Sequence, residues 1–181
     1  MVDFEKFVRR YCFENDIAIT ISYDMPAGYE TANGMFDPTV KSLFINRESL
    51  KLLPEYEQLF YLYHELRHAS QYLHPEQFDD LICKSRFYVI LYDGTCFKLV
   101  ENEWAECRLE GTEEYFSEMY LWQPYEVDAN EYACKKVKEI FGDTPELEEL
   151  HSFWIPKTEI QGSEYENLYS IIDDRFAASP Q

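Results

Sequence analysis

The chain has 181 residues, enough to bury the core of one domain, and its 46% hydrophobic and 17% aromatic content excludes a disordered protein. No apolar run approaches the ~20 residues of a membrane span. A formal charge of −19 repels phosphate backbones, which argues against direct nucleic-acid binding and favours basic partners and metal cations.

The opening MVDFEKFVRR has neither the charged nor the apolar region of a secretory leader, so a cytoplasmic protein is predicted. In DFEKFVRRYCFEND, Phe4, Phe7, Val8, Tyr11 and Cys12 recur at helical spacing, predicting an amphipathic helix over residues 3–15 with Asp3 as its N-cap. IAITISYD alternates as a strand. Asn33-Gly34 signals a turn, and MFD and KSLFIN read as further strands, together a small meander before the central helix. That helix is predicted to open with Pro54 at its first position and to run through EYEQLFYLYHELRHASQYL to Leu73, where His74-Pro75 stops it. RFYVILY and TCFKLV flank Asp93-Gly94 as an inserted hairpin at about residues 87–100. Helices follow over EEYFSEMYLW, from Pro124 to a C-cap at Gly142, and from Thr144-Pro145 through LEELHSF. The residues after Trp154 carry no clear element. A single α+β domain over residues 1–181 is predicted, with a small antiparallel or mixed sheet packed on the histidine-bearing helix.

The five cysteines (Cys12, Cys83, Cys96, Cys107 and Cys134) form no C-x-x-C pair, so they read as buried free thiols rather than as disulfides or a zinc finger.

The stretch YHELRHASQYLHP, Tyr63 to Pro75, holds three of the four histidines. His64 and His68 are one helical turn apart, a rise of ~6 Å and a rotation of ~40°, so both rings leave one face and can converge on a single Zn2+ ion. Glu65 lies ~100° round the axis, beside such an ion, where its carboxylate can hold a water and act as a base. This is the H-E-x-x-H arrangement of zinc peptidases. His74, at the helix end, and His151, with no partner pattern, receive no metal role.

A catalytic zinc needs a third protein ligand, and the best candidate lies in PYEVDANEYA. Glu126 and Asn130 share one face of the second helix. Glu126 can ligate the metal while Asn130 accepts a hydrogen bond from the distal N–H of a ligand histidine. Asp128 is the alternative carboxylate, but it points ~160–200° away from Glu126.

With these motifs in order (ANGMFDPTVKSLFIN, then HELRH, then EVDANEYA), residues 17–141 resemble the ImmA/IrrE-like zinc metallopeptidases. The resemblance implies a zincin-like fold, a zinc-dependent metalloendopeptidase with Glu65 as catalytic base, and Glu126 as third ligand by its place in E-x-x-A-N. It also implies substrates among the repressors or regulators of phages and mobile elements, and a substrate chain extended along a sheet edge. The 87–100 hairpin is a candidate border for that chain, or it only completes the sheet. The sequence departs from the family at Arg67, where a small residue is usual, and in CKKVKEIF, where an apolar stretch is usual. It also carries a long connection over residues 69–125. Two other readings stand beside this one: an acidic interaction or inhibitor protein without enzymatic activity, suggested by the charge, and a zinc-bearing but inactive homologue.

Overall fold

The computed structural model describes residues 2–158 and 161–178. These form eight α-helices and two three-stranded sheets, an α+β arrangement. No helix among them is long and apolar enough to cross a membrane. Where the sequence predicts one domain, the described residues group into two compact units. One holds those up to Asp79 together with Asp128–Trp154. The other holds Asp80–Val127 and those from Ile155 on.

In the first unit, α1 (Phe4–Glu14) begins where Asp3 caps the Lys6 N–H at 3.1 Å, as its position predicts. Strands β1 (Thr20–Ser22), β2 (Gly34–Asp37) and β3 (Ser42–Ile45) form one sheet in the order β1-β3-β2. The predicted meander is not formed. β1 runs parallel to β3, and only β2 pairs with β3 antiparallel, so the sheet is mixed and β2 is an edge. Gly34 is not a turn residue but the first residue of that edge strand.

A short α2 (Arg47–Leu50) is capped by Asn46 and leads into α3 (Glu55–Leu73). Pro54 is the N-cap of α3 rather than its first helical residue, and His74 closes it. α3 is buried nearly all round. Leu59, Phe60, Leu62, Tyr63, Leu66 and Ala69 enter the core with Val8, Leu43 and Leu50, each large apolar side chain contributing about 1.5–3 kcal/mol of transfer free energy. α6 (Pro124–Phe141) adds Ala133 and Val137 to that core and α7 (Pro145–Trp154) adds Leu147.

The second unit contains α4 (Asp80–Ser85), the antiparallel sheet β4 (Tyr88–Ile90), β5 (Thr95–Val100) and β6 (Glu103–Arg108), and the helices α5 (Glu113–Trp122) and α8 (Gly162–Ala178). The predicted hairpin is β4–β5, turning at Gly94 with φ +84°. β6 makes β5 a central strand, and the buried Gln123 amide accepts from Ile90 N–H and donates to Ile90 C=O on β4. That edge is therefore closed at Ile90, and the hairpin belongs to a second sheet rather than completing the one formed by β1, β2 and β3. Phe116 lies in a slot made by the absent side chains of Gly94 and Gly111, where an added Cβ would approach its ring to 2.8 and 2.7 Å. α8 covers this core with Tyr165, Leu168, Tyr169 and Ile172.

Candidate metal centre

His64 and His68 stand one turn apart on α3, and their Nε2 atoms are 3.0 Å from each other. Two imidazole lone pairs at this distance repel unless a proton or a cation lies between them. Tetrahedral zinc with ligands at 2.0–2.1 Å would set two nitrogens about 3.3 Å apart, so only a small adjustment separates the pair from metal geometry. Glu126, in the first turn of α6, supplies the third donor. One ligand atom from each of His64, His68 and Glu126 lies within 4.8 Å of the other two. Glu126 is 6% exposed and His68 7%. A carboxylate buried beside two imidazoles is costly without a compensating cation, and the N, N, O set suits zinc. The three residues thus fit a metal ion.

α6 is continuous from Pro124 to Phe141, so Glu126 is carried by the same helix that presents Asp128 and Asn130. Asp128 is not part of the three-residue group; it is held by α3 side chains instead. Arg67 Nε and Nη2 donate to its two carboxylate oxygens at 2.8 and 2.9 Å, and Gln71 Nε2 donates at 2.8 Å. Burial alone would lower the Arg67 pKa, but the hydrogen bond and charge of Asp128 outweigh it, so the net shift is upward. The guanidinium also lies over the rings of Phe78 and Tyr132. Arg67 is thus a structural clamp between α3 and α6.

The expected role of Asn130 is corrected. It is buried one turn beyond Glu126, but its Oδ1 accepts no hydrogen bond. The amide that meets a ligand histidine is Gln71, whose Oε1 is 2.9 Å from His68 Nδ1. Its i, i+3 spacing from His68 on α3 was a readable signal. His74 contacts the Asp16 carbonyl at 3.0 Å and the Glu76 carboxylate at 3.3 Å, away from the cluster. His151 sits on α7, where burial lowers its pKa.

Glu65 follows His64 and leaves α3 towards the outer edge of β2, where Phe36 N–H donates to its Oε2 at 2.9 Å. A Cβ at Gly34 would come within 3.0 Å of Glu65 Cγ, so the glycine leaves the space that the glutamate fills. The arrangement brings together two nitrogen donors, one buried carboxylate donor and, next in chain, a second carboxylate oriented by a backbone N–H. Compared with known proteins, the chain matches no family model, and searches of curated proteins and of solved structures return no significant match. The functional reading therefore stands on these side chains and on the motifs that carry them.

Proposed function

We propose that the chain is a zinc-dependent metalloendopeptidase with a zincin-like fold, allied to the ImmA/IrrE-like peptidases that its HELRH and EVDANEYA motifs resemble. The observation that carries this is the convergence of His64, His68 and Glu126 from two helices far apart in sequence. His64, His68 and Glu126 hold one Zn2+ ion. When bound, zinc supplies Lewis-acid polarisation of the scissile carbonyl and lowers the pKa of a water. Glu65, oriented by Phe36 N–H, takes the proton of the attacking water and delivers it to the leaving amine.

The substrate in this reading is a basic cytoplasmic protein, a DNA-binding regulator of a phage or mobile element. The −19 charge of the enzyme would steer such a partner towards it and make encounter sensitive to salt.

The test is Glu65→Gln against the wild type. Zinc is measured by elemental mass spectrometry, and cleavage of an unfolded basic protein is followed by peptide mass spectrometry, with and without chelator. Stoichiometric zinc in both proteins, with cleavage lost in the variant and on chelation, is the expected result. Wild-type protein without zinc overturns the reading. Zinc in a closed four-ligand shell without cleavage marks an inactive homologue instead.

A further inference from the structure

With His68 neutral, the hydrogen bonds from Arg67 to His68 lead to one placement of the ring proton. Arg67 is a pure donor and remains charged, so its fork on Asp128 at 2.8 and 2.9 Å requires the carboxylate as acceptor. The ionised Asp128 accepts only, so the Gln71 group 2.8 Å from its Oδ2 must be the NH2 end of the amide. The carbonyl end, Oε1, then faces His68 Nδ1 at 2.9 Å. An acceptor there requires Nδ1 to carry the proton. A neutral imidazole protonated at Nδ1 has its lone pair at Nε2, the atom that faces His64 Nε2 at 3.0 Å. Gln71 is fully buried, so water does not compete for either end of its amide.

We propose that Gln71, anchored by the Arg67–Asp128 ion pair, is a positioning residue that fixes His68 as its Nδ1–H tautomer and so commits Nε2 to the metal. The inference rests on the metal-site reading above but makes its own claim about the proton. The free histidine side chain modestly favours the Nε2–H tautomer, so without Gln71 the Nε2 lone pair of His68 would be offered to a cation only by the less populated form. Reversing the Gln71 amide would bring its NH2 to His68 and have the same effect. Asp128 blocks that reversal because it can bond only a donor. Arg67, where the sequence departs from the motif it resembles, and the Asn130 Oδ1 that accepts no hydrogen bond thereby acquire a common account: the orienting contact comes from α3 itself and is locked from α6.

Long-range nitrogen–proton NMR of the histidine rings at pH 8 tests the proton directly in the wild-type protein, before and after zinc is added. His68 is expected to carry its proton on Nδ1 in both states. A proton on Nε2 in zinc-free protein overturns the proposal, whether or not zinc binds. If the tautomer is as expected but zinc fails to bind, it is the metal-site reading that falls. Zinc affinity by chelator competition gives the second measurement. Gln71→Leu is expected to bind zinc about 10–100-fold more weakly, the usual cost of losing such a partner, and unchanged affinity counts against the proposal. The double variant Gln71→Glu with Asp128→Asn keeps an acceptor facing His68 and a donor facing residue 71. It is expected to recover most of the affinity, and no recovery in a folded double variant is again contrary. A role limited to core packing would not move the tautomer.

Discussion

Phe36 and Glu65 are joined by a backbone-to-carboxylate hydrogen bond of 2.9 Å, between the outer edge of β2 and α3. Phe36 lies opposite Leu43 in the β2–β3 ladder but directs its N–H outward, away from β3. Gly34, two residues earlier, lies on the same side of the strand, and a Cβ there would sit 3.0 Å from Glu65 Cγ, so the glutamate would have to shift to make room for it. Gly34→Ala is expected to push the Glu65 carboxylate out of place while leaving the strand intact. Zinc content should stay unchanged and stability within about 1 kcal/mol. Cleavage should fall at least ~10-fold, a fraction of what a general base contributes. Parallel measurement of zinc stoichiometry, urea midpoint and turnover checks this. Loss of zinc in step with activity would contradict the role given to Gly34.

The Arg67–Asp128 pair yields a stability prediction. Both side chains are mostly buried, with 23% and 18% of their surface exposed, so the pair lies between surface and interior cases. Arg67→Ala removes the cation, the stacking on Phe78 and Tyr132, and the partner of a largely buried carboxylate. A loss of about 1–3 kcal/mol is expected, below the value for a fully buried pair. Arg67→Lys should recover only part of it, because an ammonium cannot reproduce the two-pronged contact. Urea denaturation of the three proteins decides the ranking, and equal stability of Arg67→Ala and wild type would refute it.

The histidine pair was legible because it depends on local helical spacing, whereas Glu126 was singled out by its motif and meets the pair only through tertiary packing. The limits of α1, α3 and α5 to α7 follow from caps, prolines and apolar periodicity, which act within a few residues. β6 escaped because its turn at Glu101-Asn102 takes φ of +50° and +67° without a glycine to announce it. The parallel pairing of β1 with β3 depends on chain crossing that no local pattern carries. α8 was present in the pattern, since Tyr165, Leu168, Tyr169 and Ile172 repeat at i, i+3, i+4 and i+7, but polar residues between them obscured it. Choosing Gln71 over Asn130 required the position of Asp128, separated from Gln71 by 57 residues and brought to it only by tertiary packing.

Phe116, 1% exposed, supports a prediction confined to the second unit. A Cβ at Gly111 would meet its Cε2 at 2.7 Å and its Cζ at 2.9 Å. A ring so enclosed cannot swing away, so Gly111→Ala is expected to cost about 1–3 kcal/mol as overpacking. Adding Phe116→Leu, which shortens the side chain, should relieve part of that penalty. The double variant would then be more stable than the sum of the singles implies. Additive losses in a denaturation cycle would mean that the glycine matters for another reason.

Buried tyrosines set the alkaline limit of stability. Burial raises the phenol pKa of Tyr11 in the first unit and of Tyr165 and Tyr169 in the second. Tyr88 is pushed up to about 12, by burial first and then by its hydrogen bond to Asp173. An unfolded tyrosine loses its proton near pH 10. Between that value and the raised one, the folded state binds more protons than the unfolded state, so stability falls as pH rises. Below pH 10 the phenols are neutral in both states and their contribution is fully present. The loss therefore begins above about pH 10, with a slope of at most about 1.4 kcal/mol per pH unit for each such tyrosine. Near-ultraviolet tyrosinate absorbance and far-ultraviolet circular dichroism, followed together, should show the exposed tyrosines titrating first without loss of helix. The buried set should then ionise in one step together with unfolding. Smooth ionisation of all 15 tyrosines near pH 10, with helix content unchanged, would contradict the burial that raises these four.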